Sequence, residues 1–462
     1  MRTLRFDRGT LLLEGFPADE VPEHFVLDPR VEMWRAPAMA YHRVALDLHR
    51  QGIPYDDQAR GYGGPLERAH HSERTPRDYQ QAAVAAWRGA GRRGTVLLPT
   101  GSGKSFVAEL AIALCDRATL VVAPTLDLVG QWYDSLRRAF GDPVGIVGGG
   151  VHEVHDITVT TYDSAYLHVE RYGARFGLVV FDEVHHLPGP TYSQAAEGSL
   201  APFRLGLTAT LERDDGGHER VEELVGPVVY QRGIRELSGD YLAPYRTEVL
   251  TIELSPDERA AHDEAFGTYR AFRESRGIGG GRSGWNHFLR EAARSAEGRR
   301  AHKAWREARR ILQGNRAKLQ RLEELLRRHQ DDRVLVFTND NATVYRLSRE
   351  LLLPAITHQT DLKERSQLLQ DFADGTLPVL VTSRVLNEGV DLPAADVAVV
   401  LSGTSTVREH VQRLGRILRP QEGKQATLYE LVVEGSSEER TSRRRREHDA
   451  YRAAEEAEGR TP

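Results

Sequence analysis

Two successive alternations of apolar strands with helical stretches, over residues 77–230 and 333–433, predict an α/β protein built on two parallel sheets. A third observation says what the first sheet holds. The apolar run Thr95–Leu98 leads into a glycine-rich turn, and a helical stretch follows from Ser105 through Leu114. Strand, glycine-rich turn and helix in that order form a phosphate loop.

The loop core is Thr100-Gly101-Ser102-Gly103-Lys104-Ser105. Successive N–H groups around Gly101, Ser102 and Gly103 make a nest for phosphate oxygens, and the helix N-terminus adds partial positive charge. Lys104 suits the β- and γ-phosphates of a nucleotide, and the Ser105 hydroxyl suits Mg²⁺. The full loop pattern asks for glycine at position 98, where this chain has Leu98.

In the first alternation the strands are Thr95–Leu98, Leu120–Ala123, Ile157–Thr160, Leu178–Phe181 and Leu205–Thr208. Ligands of such sheets sit at the strands' carboxyl ends. Besides the phosphate loop, Pro124-Thr125-Leu126, Thr160-Thr161-Tyr162 and Asp182-Glu183-Val184-His185 collect there. Asp182 follows a buried strand and suits Mg²⁺ from its second shell or through water. Glu183 can activate an attacking water. Thr208 and Thr210 can hydrogen-bond this acidic segment.

The second alternation has strands at Val334–Phe337, Ala355–Thr357, Val379–Val381, Val397–Leu401 and Ala426–Leu431, and no phosphate loop. It carries Asn387-Glu388-Gly389-Val390-Asp391 and Gln412 to Arg419. Arg413, Arg416 and Arg419 lie three apart on one helical face, a spacing that suits a polyphosphate.

Before the first alternation, Asp7-Arg8-Gly9 joins Thr3–Phe6 and Thr10–Leu13 as a hairpin, Val31–Trp34 reads as a strand and Tyr41–Gln51 as a helix. A turn-rich linker follows over Gly61–Pro65. Residues 232–254 read as a connector. Ser255-Pro256-Asp257-Glu258 is a capping box opening a charged helical region that runs to about Gln330. Trp305, Ala308, Leu312, Leu319, Leu322 and Leu326 mark one apolar face. The arginine-rich faces before residue 315 are either solvated or apposed to a nucleic-acid backbone. The arginine run at 443–446, diluted by glutamates, reads as a solvated tail.

A net charge of −5 gives no global basic footprint. The lone Cys115 points to a reducing compartment, and no apolar run is long enough for a membrane span. His152-Glu153-Val154-His155 lacks zinc-ligand spacing.

Seven segments in order resemble superfamily 2 helicases: Arg77-Asp78-Tyr79-Gln80, the phosphate loop, Ala123-Pro124-Thr125, Asp182 to His185, Thr208-Ala209-Thr210, Asn387 to Asp391, and Gln412 to Arg419. Asp-Glu-Val-His together with Thr-Ala-Thr-Leu-Glu-Arg-Asp-Asp-Gly resembles the XPB (xeroderma pigmentosum group B) type, in its short archaeal form. The resemblance implies two RecA-like motor domains, a small N-terminal α+β domain and a helical thumb-like insertion. It gives residues 1–70 as damage-recognition-like, 71–245 as ATP-binding motor domain, 255–312 as thumb, 313–440 as second motor domain and 441–462 as charged tail.

The implied activity is ATP- and Mg²⁺-dependent 3′–5′ DNA unwinding in nucleotide excision repair or transcription-related opening. The alternative is a double-strand translocase that opens DNA for a partner nuclease. Gln80 would read adenine and Asp391 the ribose. Glu183, Arg416 and Arg419 would be catalytic. Thr125 and Thr161 would hold the tracked strand, and Arg213-Asp214-Asp215 would separate strands where the family has Arg-Glu-Asp. The expected partner is forked DNA or a single/double-strand junction, in the cytoplasm near the nucleoid.

Overall fold

The computed structural model describes residues 2–211, 217–237, 245–383, 395–402 and 426–447. The chain forms two compact units, one of Met1–Leu98 and Gly103–Arg232, the other of Pro99–Ser102 and Gly233–Pro462.

The first unit opens with the expected hairpin. Strands β1 (Thr3–Asp7) and β2 (Thr10–Glu14) pair antiparallel with Asp7 opposite Thr10. Arg8 and Gly9 both take positive φ, +46° and +83°, as a two-residue hairpin turn requires. Strands β3 (Val26–Asp28), β4 (Met33–Pro37) and β5 (Asp56–Gln58) complete a sheet of order β3-β4-β2-β1-β5. The strand expected at Val31–Trp34 therefore lies further along the chain. Helix α1 (Tyr41–Arg50) lays Tyr41, Val44 and Leu48 on Leu4, Leu11 and Leu13, and Leu200 joins that core.

An eight-stranded sheet follows, of order β13-β6-β12-β11-β7-β10-β8-β9. Its strands are β6 (Arg93–Leu97), β7 (Thr119–Ala123), β8 (Gly145–Gly148), β9 (Val151–Glu153), β10 (Ile157–Thr161), β11 (Leu178–Asp182), β12 (Phe203–Thr208) and β13 (Val228–Gln231). All pairs are parallel except β8 with β9. Helices α2 (Asp78–Gly89), α3 (Lys104–Cys115), α4 (Leu126–Phe140), α5 (Tyr162–Tyr172), α6 (Ser193–Glu197) and α7 (Gly217–Leu224) accompany it.

The second unit begins with the short helix α8 (Ile234–Leu237) and strand β14 (Tyr245–Ile252). This strand corrects the reading of 232–254 as a connector: it pairs along its whole length, parallel, with β19 (Ala426–Val433). The sheet order is β14-β19-β18-β15-β17-β16, all parallel, with β15 (Val334–Phe337), β16 (Ala355–Ile356), β17 (Val379–Thr382) and β18 (Val397–Val400). Between β14 and β15 lie α9 (Pro256–Ser275), α10 (Gly281–Arg294), α11 (Ala296–Gly314) and α12 (Arg316–Arg328). Helices α13 (Asn341–Leu351), α14 (Leu362–Ala373) and α15 (Ser437–Glu447) follow among the described residues of the unit. The capping box forms: Ser255 Oγ accepts from Glu258 N at 3.2 Å and Glu258 Oε2 accepts from Ser255 N at 3.1 Å.

The apolar face expected as one stripe divides among three cores. Trp305 packs with the insertion's Tyr269, Phe272 and Phe288. Leu312 packs with Leu254, Ile311 and Val433. Leu319 and Leu322 join the sheet core. The division falls at Asn315, whose side chain accepts from Lys318 N at 2.9 Å and caps α12. Lys318 is fully buried, and its Nζ donates to Leu401 O at 2.7 Å and to both Glu438 oxygens at 2.9 and 2.7 Å. Among the described residues no helix is long and apolar enough to cross a membrane.

Candidate active site

The order β6-β12-β11-β7-β10 sets five strand ends side by side along the carboxyl edge of the first sheet. After β6 comes the phosphate loop. Gly101 and Gly103 take φ of +83° and +81°, a region costly for a side chain. A Cβ on Gly103 would stand 2.7 Å from Gln80 Nε2. Ser102 Oγ closes the turn on Pro99 O at 2.7 Å. Lys104 is buried at the start of α3, Ser105 is exposed beside it, and the buried Thr100 Oγ1 has no partner among the described residues.

Gln80 is buried, and its amide is engaged within the fold. Its Oε1 accepts from Arg77 N at 3.0 Å, and its Nε2 donates to Gly103 O at 3.4 Å. The side chain braces the loop from behind.

At the end of β11, Asp182 is buried and both oxygens accept hydrogen bonds, Oδ2 from Trp132 Nε1 at 2.8 Å and Oδ1 from Glu183 N at 3.0 Å. Burial first, and the neighbouring Glu183 second, push this carboxyl up from 3.8 to about 6; Trp132 and Lys104 oppose the shift. Tyr162 donates from its hydroxyl to Asp182 O at 2.9 Å. Glu183 has φ +47°, a left-handed backbone that a non-glycine residue keeps only under constraint. The twist points successive carboxylates in different directions.

At the end of β12, Thr208 Oγ1 lies 3.4 Å from Glu183 Oε2 and 2.9 Å from His185 Nδ1, and it donates to Thr210 O at 2.9 Å. The expectation that two hydroxyls meet the acidic segment holds for Thr208. It is corrected for Thr210, whose N–H donates to Thr208 Oγ1 at 3.3 Å while its own hydroxyl has no partner among the described residues.

After β7 and β10, Thr125 and Thr161 prove to be helix caps. Thr125 Oγ1 accepts from Leu128 N at 3.3 Å and Thr161 Oγ1 from Ser164 N at 3.1 Å. Thr161 pairs in register with Ala123, two residues before Thr125, so the N-termini of α4 and α5 are neighbours. Two adjacent N-termini favour phosphate. Beside them Gly148 and Gly149, both at positive φ, pack against Leu126 with no side chain of their own.

Sequence reasoning did not single out Trp132 or Arg204, and it placed Tyr162 at a strand end without finding its bond to Asp182. Arg204, on β12, is fully buried, and its guanidinium donates to four carbonyls: Ala196, Ser199, Ala201 and Leu224, at 2.6–3.2 Å. Arg213, Asp214, Asp215, Asp391, Arg413, Arg416 and Arg419 lie outside the described residues.

The donors present fit Mg²⁺. Asp182 and Ser105 supply oxygen, and no group of three or more His, Cys, Asp or Glu able to hold a metal occurs among the described residues. A cation here would therefore complete its shell with phosphate oxygens and water, as Mg²⁺ commonly does.

Residues 73–213 match the family model described as "Type III restriction enzyme, res subunit", and residues 317–421 match "Helicase conserved C-terminal domain". The helicase domain of Pyrococcus furiosus Hef superposes with a TM-score of 0.52 at 20% identity, covering 80% of this chain and 98% of that one, and so shares the fold. Fold and site together define a two-domain helicase motor of superfamily 2. Residues 4–59 match the "Xeroderma pigmentosum group B helicase damage recognition domain". The "DNA 3'-5' translocase XPB2" of Sulfurisphaera tokodaii is 43% identical over 80% of this chain and 84% of its own length. The "DNA 3'-5' helicase XPB" of Mycobacterium tuberculosis is 31% identical, over 85% of this chain and 67% of its own. The chain belongs to the XPB helicase family.

Proposed function

We propose that this protein is a DNA-dependent ATPase that moves 3′ to 5′ on DNA and unwinds it. The observation that carries this reading is the pairing at the end of β11. There Asp182 is held by two donors, and Glu183 is twisted away to face Thr208, next to the strand that Thr208 ends and one further from the phosphate loop.

The loop N–H groups from Gly101 to Gly103 and Lys104 hold the β- and γ-phosphates of ATP. Ser105 and Asp182 would hold Mg²⁺, which when bound would neutralise charge on those phosphates. Glu183 accepts the proton of the attacking water, and Thr208 and His185 keep its carboxylate in place. Gln80 and Asp391 are assigned to adenine and ribose. Arg416 and Arg419 are assigned to the γ-phosphate, where such arginines contribute about 10³–10⁵ in rate. Thr125 and Thr161, at two helix N-termini, take backbone phosphates of the tracked strand with little sequence preference.

A second reading, translocation on duplex DNA that opens it for a nuclease, is favoured by Asp214, one methylene shorter than the family's glutamate at the strand-separating motif. ATPase activity with and without DNA tests the common part: unstimulated turnover would defeat it. Fork unwinding beside triplex displacement separates the two readings, and adding a candidate nuclease tests the partner.

A further inference from the structure

Helix α11 carries a basic stripe that folding does not explain. Arg299, Lys303, Arg306 and Arg310 recur at spacings of four, three and four, and share one face. Every residue three or four positions from Arg306 is basic or histidine: His302, Lys303, Arg309 and Arg310. Like charges at these spacings repel. Elsewhere in this insertion arginines find acids, as in Arg270 with Glu274 and Arg294 with Glu291. Here Glu307 is taken by Arg310 at 2.6 Å. Among the described residues neither Lys303 nor Arg306 has a carboxylate within ion-pair distance, and both are exposed.

The stripe forms one wall of an open groove of about 990 Å³. The start of α13 forms the other, with Asn339, Asp340 and Thr343. The walls are fixed to each other by Arg346 on α13, which donates to Gly314 O at the end of α11. Asp340 keeps its charge, its oxygens accepting from Thr343 N and Thr343 Oγ1, both at 2.9 Å, but it and Glu307 face six lysines and arginines in the groove lining, so the balance stays positive. Trp305 also lines the groove, but its ring is covered by Arg309 at 5.0 Å, Trp285 at 4.4 Å and His302 at 6.0 Å. No aromatic face is left on Trp305 for a base.

We propose that this groove binds the phosphodiester backbone of nucleic acid. The inference rests on the reading of the chain as a DNA motor and adds a site to it. Eleven helical steps along α11 take Arg299 to Arg310, a rise of about 16 Å, or on the order of five phosphates at ~3.4 Å along one strand. Backbone contact without base stacking makes the site indifferent to sequence.

The test measures affinity of the full chain for a short duplex and for a single strand across salt concentrations. The variant is Lys303→Glu with Arg306→Glu; the control, Arg290→Glu with Arg294→Glu, makes the same charge change on α10, outside the groove. The groove variant is expected to lower the slope of log affinity against log salt by about two, at ~0.9 per duplex phosphate or ~0.7 per single-strand phosphate, and to weaken binding roughly tenfold or more. The milder Lys303→Gln with Arg306→Gln should give the same slope change and guards against misfolding. The arm that loses slope identifies whether duplex or single strand lies in the groove. Unchanged slopes in both arms would mark the stripe as a dock for an acidic protein surface and overturn the proposal, as would an equal loss in the control. Failure of the DNA-motor reading looks different: the unaltered chain would show no DNA-stimulated ATPase.

Discussion

Trp132 Nε1 donates to Asp182 Oδ2 at 2.8 Å, across fifty residues of chain. Trp132 sits on α4, two turns beyond the Thr125 cap, so one helix joins the proposed strand contact to the proposed metal carboxylate. With Glu183 N on the other oxygen, the indole fixes the plane in which Asp182 faces the loop. Groups that orient a metal ligand in this way typically cost about 10–100-fold in metal affinity or activity when removed. Trp132→Phe keeps the buried ring and deletes the donor. Its half-saturating Mg²⁺ concentration should rise by roughly tenfold. The Mg²⁺ dependence of fluorescent-nucleotide binding reads this directly, and an unchanged midpoint would strip Trp132 of the role.

Glu183→Gln should bind ATP and DNA with near-normal affinity and hydrolyse ATP about 10²–10⁴-fold more slowly. The amide is isosteric and can still meet Thr208, so the backbone twist at 183 survives and only the proton acceptor is lost. Single-turnover hydrolysis beside nucleotide binding makes the comparison. Normal turnover would reassign the base.

The elevated carboxyl of Asp182 sets a pH dependence with a definite sign. Its folded value of about 6 lies above its ordinary 3.8, chiefly through burial and then through Glu183. The proton competes with the cation, so ATPase activity should fall as pH drops through about 6, and more Mg²⁺ should move that limb to lower pH. For the metal-free protein the linkage runs the other way. Between the two values the folded state holds a proton that the unfolded chain has released, so stability declines as pH rises across that window. Thermal melts with a chelator, stepped across it, should show the decline. An acid limb that stays near pH 4 even at limiting Mg²⁺ would show that Asp182 ionises as an ordinary carboxyl.

Strands buried on both faces were legible in the sequence because their whole length is apolar: Val179, Val180 and Phe181, or Val334 to Phe337, have no solvent side. Edge strands were not. Val228–Gln231 is largely exposed, and Tyr245–Ile252 mixes Arg246, Thr247 and Glu248 with its apolar residues, so each resembles loop until its partner strand is known. The phosphate loop and the acidic pair were legible because their chemistry is local, with ligands one to five residues apart. Trp132 and Tyr162 were not, because each meets Asp182 through a contact that exists only after β7, β10 and β11 align.

Arg204 is the extreme case of this and gives the last test. In an apolar strand it reads as a stray charge, yet among the described residues no acid is hydrogen-bonded to it. Its partners are carbonyls scattered from Ala196 to Leu224, and burial pulls its pKa well below the ordinary value. Three of those carbonyls lie in the segment between the acidic motif and β12 and the fourth ends α7, and β12 ends in Thr208. Arg204→Leu would leave several buried acceptors unpaired, at about 1–3 kcal/mol each, so a net loss of at least ~3 kcal/mol is expected. For a unit of this size that is roughly a 6–12 °C fall in melting midpoint. Because Arg204 touches neither the loop nor the acidic pair, turnover per folded molecule at low temperature should stay near normal. A variant that melts normally but has lost ATPase activity would instead place Arg204 in the catalytic machinery.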